Sequence, residues 1–316
     1  MVFAPWRRRD PAARFTQPRP ASQAPATDGS PASDGAGRPP ARLLGEELTL
    51  AYDRRIVAEG LAVRIPDGAF TVIVGPNACG KSTLLRALAR VMRPTAGTVR
   101  LDGAQIASLP SKEIARRLGL LPQTAIAPDG ITVFDLVSRG RYPHQTIWRQ
   151  WSTRDEQVVR DAMAVTGVTD LASRFVDELS GGQRQRVWLA MTLAQETPIL
   201  LLDEPTTFLD ITHQFDVLDL CADLHENHGR TLVAVLHDLN QACRYATHLV
   251  VMAAGCIVAE GPPAEIVTAE LVEETFGLAC RVIPDPETGT PMIIPTARRW
   301  KPSPSPSPSP SPSPSP

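Results

Sequence analysis

Between residues 42 and 297 the chain alternates short apolar runs with amphipathic stretches, and this alternation predicts the secondary elements. Short β-rich apolar runs bounded by turn residues read as strands. They fall at Leu48–Tyr52, Leu61–Ile65, Phe70–Gly75, Thr98–Leu101, Leu118–Leu121, Ile199–Asp203, Thr231–His237 and Leu249–Met252. Helical spacing of apolar positions begins near Lys81, Ser111, Val133, Arg154, Gly181, Ile211 and Leu239. The runs 199–202 and 231–236 contain no charge, which suits central strands covered on both faces. Strands alternating with helices predict an α/β fold with a largely parallel core. The early strands near 48–65 follow one another with no helix between them and predict an antiparallel β flank. Residues from about 124 to 190 read as an inserted helical subdomain.

Composition sets the boundaries. Residues 1–41 are rich in Pro, Ala, Arg, Ser and Gly without apolar periodicity, and they are expected to be disordered. After Lys301 the chain repeats Pro-Ser, so 298–316 is expected to form an unpacked, polyproline-like tail. Residues 42–297 are left as one globular domain. The net charge of −2 gives no reason to expect a nucleic-acid partner. No apolar run approaches the roughly 20 residues of a membrane span. The N-terminal MVFAPWRRRD has basic residues with no apolar stretch after them, so no secretion signal is expected. Cys79, Cys221, Cys243, Cys256 and Cys280 are scattered with no CxxC pair, which predicts reduced thiols in an intracellular protein.

The strongest chemical signal is Gly75, Pro76, Asn77, Ala78, Cys79, Gly80, Lys81, Ser82 and Thr83, which fits G-x-x-x-x-G-K-[ST]. It follows the run FTVIV and opens the amphipathic stretch STLLRALARVM, the strand–loop–helix context that a phosphate loop requires. Backbone N–H groups of such a loop wrap the phosphates of ATP, and the helix N-terminus adds the positive end of its dipole. Lys81 supplies a point charge for the β and γ oxygens, and Ser82 a hydroxyl for Mg²⁺. Position 78 is Ala where such loops often carry Gly. Left-handed backbone costs Ala about 1 kcal/mol, so a negative φ is expected there. Cys79 reads either as a thiol activated by the helix N-terminus or as a small filler.

A second signal is the apolar run Ile199–Leu202 ending in Asp203 and Glu204. Ligands gather at the C-terminal ends of parallel strands, so Asp203 is placed to hold Mg²⁺ and Glu204 to act as general base toward water. The third is Leu179-Ser180-Gly181-Gly182-Gln183, followed by Arg-Gln-Arg. With this LSGGQ stretch the chain resembles the nucleotide-binding domain of ABC transporters. The fold implied is a P-loop NTPase: a RecA-like core with an antiparallel β flank and the inserted helical subdomain.

The resemblance implies roles for further residues. Tyr52 matches the aromatic that stacks on adenine. Gln123 matches the glutamine that touches Mg²⁺ and the attacking water. Asp210, in Thr207-Phe208-Leu209-Asp210, matches the aspartate that reaches across a dimer. His237 matches the histidine that contacts the γ-phosphate. The resemblance also implies a homodimer in which Ser180, Gly181, Gly182 and Gln183 of one copy meet the ATP held by the other.

The segments TAIAPDGITVFDLVSRGRYPHQ, QRVWLAMTLAQETPILLLDEPTTFLD and VLHDLNQACRYATHL resemble the ATPases of iron–siderophore importers. That resemblance implies an integral membrane permease as a separate partner, a siderophore-binding protein acting indirectly, and a place on the cytoplasmic face of the membrane. Residues 139–144 (RGRYPH) are expected to form an exposed basic and aromatic patch facing the permease. ATPases of haem and cobalamin importers are similar and stay open as alternatives, with a soluble, non-transport ABC ATPase behind them. The end region 262–295 is expected to form two short helices and a hairpin.

Overall fold

The computed structural model describes residues 41–53, 55–124, 126–146 and 151–296. Of the stretches expected to be disordered, 1–41 and 298–316, only Ala41 falls among those residues, and it opens a strand. In chain order, β1 (Ala41–Tyr52), β2 (Arg55–Pro66) and β3 (Phe70–Val74) precede α1 (Lys81–Leu88). Next come β4 (Ala96–Leu101), β5 (Ala104–Gln105), α2 (Ser111–Arg117) and β6 (Leu118–Leu121). Three helices, α3 (Val133–Ser138), α4 (Thr153–Val165) and α5 (Gly181–Ala194), then separate β6 from β7 (Ile199–Asp203). After them run α6 (Ile211–Glu226), β8 (Thr231–Val235), α7 (Leu239–Tyr245), β9 (His248–Ala253) and β10 (Cys256–Gly261). The end is α8 (Pro263–Ile266), α9 (Ala269–Phe276), β11 (Cys280–Pro284) and β12 (Pro291–Pro295), two short helices and a hairpin as expected.

The core sheet has the order β10-β9-β3-β8-β7-β6. β9, β3, β8, β7 and β6 run parallel, and β10 closes one edge antiparallel. Every residue of β3, β7 and β8 is buried, because both faces of the sheet are covered. Alternate side chains serve the two faces. Phe70, Val72, Leu200, Leu202, Leu232 and Ala234 pack with α3 to α7. Ile73, Ile199, Leu201, Val233 and Val235 pack against α1 and the flanking sheet β2-β1-β4-β5. This flank is antiparallel, as the helix-free early strands suggested.

The structure changes several expectations. β3 stops at Val74 and β8 at Val235, so Gly75 and His237 belong to loops. β1 and β2 are longer than their apolar stretches. β10 had no apolar signal because, as an edge strand, it alternates exposed and partly buried positions.

Ala78 has φ 62°, against the negative value expected. The conformation is imposed by the loop, which must turn from β3 into α1 while Lys81 bonds back to the carbonyls of Gly75 and Pro76. Gly75 is fixed for a different reason: a Cβ there would run into the Met252 carbonyl and the Cys79 sulfur. Cys79 itself is 5% exposed within the core beneath α1, which supports the filler reading.

The segment 139–144 is also corrected. It forms a 3₁₀ turn, Arg139–His144, in which Gly140, Arg141 and Pro143 are buried and Arg139 and Tyr142 are exposed. Arg141 is 3% exposed and donates to Asp155 Oδ1 (2.9 Å), the Ala194 carbonyl (2.7 Å) and Glu196 Oε2 (2.8 Å). A Cβ on Gly140 would meet the Met191 carbonyl, so the turn lies flat against α5. Burial pushes the Asp155 carboxyl up, but hydrogen bonds from Ser152 and Arg141, with the Arg141 charge, outweigh it and leave it below the ordinary carboxylate value.

Two predictions follow from these contacts. Arg141→Met leaves two inward carboxylates without their guanidinium and is expected to cost about 3 kcal/mol in urea unfolding at pH 7. Because the Asp155 carboxyl is depressed in the folded protein, its contribution is present above the unfolded value of about 3.9 and lost as pH falls through the folded one. The gap between parent and variant should therefore narrow below about pH 4, and a constant gap would remove Asp155 from the account. Ala78→Gly relieves left-handed strain of about 1 kcal/mol and should raise the thermal midpoint. A lowered midpoint would show that the Ala78 methyl packs usefully.

Candidate functional site

Parallel pairing brings four loops to one edge of the core sheet. β3 leads into 75–80, β6 toward Gln123, β7 into Glu204 and β8 into His237. Asp203 is in register with Val235 of β8, and Leu202 with Leu121 of β6, so the strands end nearly level. The C-terminal edge of such a sheet is where α/β folds bind ligands. A cleft of about 530 Å³ opens there, lined by Tyr52, Asn77, Ala78, Lys81, Ser82, Glu204 and His237 among others.

The floor of the cleft is the N-terminus of α1. Its N-cap is Gly80 at φ 107°, with no side chain bonded to the first N–H groups. Those donors are free to bind an anion, and the helix dipole favours one. Lys81 is buried and donates from Nζ to the carbonyls of Gly75 and Pro76, both at 2.9 Å. Its ammonium is thereby held along the loop where phosphates would lie.

Beside it, Ser82 Oγ donates to Asp203 Oδ1 at 2.7 Å. One helical turn on, Arg86 Nε lies 3.7 Å from Asp203 Oδ2, and its Nη1 is 3.3 Å from the Tyr52 hydroxyl. Burial raises the Asp203 carboxyl, and the Ser82 hydrogen bond and Arg86 charge only partly offset that rise. A hydroxyl and a carboxylate converging on one buried point are hard oxygen donors of the kind Mg²⁺ accepts together with phosphate oxygens. Among the described residues, no three His, Cys, Asp or Glu side chains converge as a protein-only metal cage.

Glu204 stands next to Asp203 but in another setting. Its φ of 54° turns the chain sharply off β7. Glu204 Oε1 lies 2.7 Å from His237 Nε2, and Thr207 Oγ1 donates to Oε2 at 3.1 Å. Gln123 also favours the charged form of this carboxylate. Burial pushes the Glu204 carboxyl up, yet His237, Thr207 and Gln123 together hold it below the ordinary value. The Glu204 carboxylate is therefore ionised near neutral pH and held by His237 and Thr207.

Not every expected residue reaches the cleft. Tyr52 does, 47% exposed at the end of β1. The signature residues do not. Ser180 caps its own helix by accepting from the Gln183 N–H, and Gln183 Oε1 accepts from the Ser180 N–H in return. Ser180 and Gly181 are exposed, and neither lines the chain's own cleft. Asp210 likewise caps α6, accepting from the His213 N–H at 2.9 Å, and is exposed. Sequence reasoning passed over Arg86 and Thr207. Arg86 had a signal, four residues after Ser82 and so on the same helical face. Thr207 had one in standing three residues after Glu204 across a turn.

Comparison with known proteins agrees with this geometry. The family described as ABC transporter matches residues 58–207. The ferric enterobactin transport ATP-binding protein FepC of Escherichia coli (strain K12) is 60% identical over 258 residues, 82% of this chain and 95% of that protein. The probable siderophore transport system ATP-binding protein YusV of Bacillus subtilis (strain 168) is 54% identical over 253 residues, 80% of this chain and 92% of that one. A solved bacterial ABC transporter cassette, described as dimeric, superposes with TM-score 0.64 at 26% identity, covering 70% of this chain and 98% of its own. With the phosphate loop, the acidic strand end and the LSGGQ helix all set in this fold, the chain belongs to the ABC transporter family.

Proposed function

We propose that this ATPase drives import of ferric siderophores through a separate membrane permease, and that the residues gathered at the sheet edge bind and cut the ATP. The observation that carries the chemistry is the convergence of Lys81, the Ser82–Asp203 pair and the Glu204–His237 pair on one cleft. In this reading Tyr52 stacks on adenine, and the α1 N-terminus and Lys81 take the phosphates. Ser82 and Asp203, with Gln123, hold Mg²⁺, which supplies charge neutralisation at the phosphate oxygens. Glu204 accepts the proton of the water that attacks the γ-phosphorus, the P–O bond to ADP breaks, and phosphate leaves. His237 keeps the Glu204 carboxylate aimed and contacts the γ-phosphate. A carboxylate held low is a modest base, so most of the acceleration comes from positioning and electrostatics.

Two copies are needed in this reading. The LSGGQ helix of each presents exposed Ser180 and Gly181 and half-buried Gly182, which its own cleft does not use, and the ATP in the other copy's cleft is their target. Gln183 and Asp210 belong to the same contact in this reading. ATP adds attraction between the copies and hydrolysis removes it, so the pair closes and opens.

The membrane side of the reading rests on the relatives, whose names specify ferric enterobactin and siderophore transport. In this reading the permease is another chain and this one works at the cytoplasmic face of the membrane; among the described residues no helix is long and apolar enough to cross a membrane. A siderophore-binding protein would deliver cargo to that permease, and no nucleic acid takes part. Arg139 and Tyr142, the exposed positions of the Arg139–His144 turn, are proposed as permease contacts.

Two experiments test this function. Glu204→Gln should keep nucleotide binding, read with a fluorescent ATP analogue, while phosphate release falls by about 10² to 10⁴. Hydrolysis at the parent rate would remove Glu204 as the base. A strain lacking this chain should fail to grow under iron starvation on a single purified siderophore, and the parent gene but not Glu204→Gln should restore growth. Undiminished iron uptake without the chain, in a strain with no second importer, would overturn the siderophore reading and direct the search to haem or cobalamin.

A further inference from the structure

The helix that follows His237 is too short to hold itself in place. α7 has seven residues, Leu239–Tyr245, and begins at Asp238, whose side chain accepts from the Gln241 N–H at 2.8 Å. Isolated helices of that length are unstable in water, so tertiary contacts must fix this one. His237 stands between two supports. Ahead of it, the Leu236 N–H donates to the Ile73 carbonyl and ties the chain to β3. Behind it comes α7, so the aim of the imidazole depends on where that helix is held.

α7 is gripped from two sides. Ala242 and Cys243 are buried in the core, and Gln241 Nε2 donates to Gln214 Oε1 of α6 at 2.9 Å. The other grip comes from the C-terminal hairpin. Asn240 Oδ1 accepts from the Ile293 N–H at 2.7 Å, and Asn240 Nδ2 donates to the Ile293 carbonyl at 3.2 Å. A carboxamide carries a donor and an acceptor side by side, as a peptide group does, so Asn240 binds β12 much as a neighbouring strand would. One helical turn on, Arg244 Nη1 lies 3.9 Å from Asp285 Oδ2, just past the end of β11. Ile293 is itself 5% exposed and packed in the core cluster, so the grip is anchored. Among the described residues nothing after Gly255 lines the nucleotide cleft, and the hairpin therefore has no direct part in the chemistry.

We propose that Asn240 is a positioning residue for hydrolysis: by clamping α7 to the C-terminal hairpin it holds His237 against Glu204. This rests on the roles given above to Glu204 and His237, and it gives the hairpin a part in the same reaction. The contact at stake is the 2.7 Å approach of His237 Nε2 to Glu204 Oε1. A shift of α7 by about 1 Å takes that pair out of hydrogen-bond range, and misplacements of this size cost up to about 10²-fold in rate. Support for the carboxylate thus runs from Ile293 through Asn240 and α7 to His237, and a disturbance of the hairpin is felt at the base.

The test compares full-length parent, Asn240→Ala, His237→Ala and the double variant, with hydrolysis followed in single turnovers as well as at steady state. Asn240→Ala should hydrolyse about tenfold more slowly at saturating ATP, with KM for ATP within about twofold of the parent. Amide hydrogen exchange should quicken in the peptide spanning 236–241 and stay as in the parent in the peptide spanning 75–83. In the His237→Ala background, Asn240→Ala should cause no further loss, because two residues acting through one contact are not additive. A parental rate for Asn240→Ala overturns the proposal, whatever happens to its thermal midpoint. Faster exchange in both peptides also overturns it, since the side chain would then serve general stability. A further fall on the His237→Ala background overturns it too, because Asn240 would act by another route. Parental hydrolysis by His237→Ala itself overturns the role given to His237, and the clamp with it.

Discussion

The level ending of β3, β8, β7 and β6 is the constraint on which the site depends. Parallel strands buried on both faces cannot slip by one residue without turning every apolar side chain to the wrong cover. The apolar runs therefore do more than fill a core. By fixing Leu121 against Leu202 and Asp203 against Val235, they set the heights at which Gln123, Glu204 and His237 leave the sheet. A phosphate loop on β3 is then opposite two carboxylates on β7 with no loop having to find its place unaided.

The two carboxylates show how local surroundings divide one dipeptide into two tasks. Asp203 ends the strand inside the fold, where burial raises its carboxyl and Ser82 and Arg86 restrain it. Glu204 comes one residue later, past a left-handed turn, where donors on three loops keep its carboxylate ionised despite burial. A buried acid flanked by a hydroxyl suits a cation, which would replace the guanidinium as its counter-charge. A fixed, ionised carboxylate lining the cleft suits a water molecule. Adjacent positions on a strand point to opposite faces, so the turn at Glu204 is what returns its side chain to the same cleft.

Much of this was legible in the sequence because the chemistry demands particular residues at particular spacings. The phosphate loop, the Asp203–Glu204 strand end, His237 and the LSGGQ helix were readable, as were the parallel core and the antiparallel flank. The backbone of Ala78 was not, since its φ is set by closure of the loop around Lys81 and not by its own preference. The burial of Arg141 was not either. An arginine among aromatic and basic residues reads as exposed, and the acids that take it inside, Asp155 and Glu196, lie on other elements, 14 and 55 residues further along the chain. Edge strand β10 escaped because half its positions face outward.

Where the backbone departs from its preferences has a pattern. Ala78, Glu204 and Ala254 adopt positive φ and all three line the nucleotide cleft, and Phe208 does so beside the LSGGQ helix. The other non-glycine cases include Asp53 and Asp102, at strand-end turns where a short polar side chain tolerates the conformation. At Asp53 and Asp102 the choice of residue relieves the strain; at Ala78, Glu204 and Phe208 it does not. It persists there because the surrounding contacts overrule it: Lys81 on its carbonyls, Thr207 and His237 on the carboxylate, Leu209 under the signature helix. These are the same contacts that aim the functional groups, so the strain and the geometry of the site have one cause.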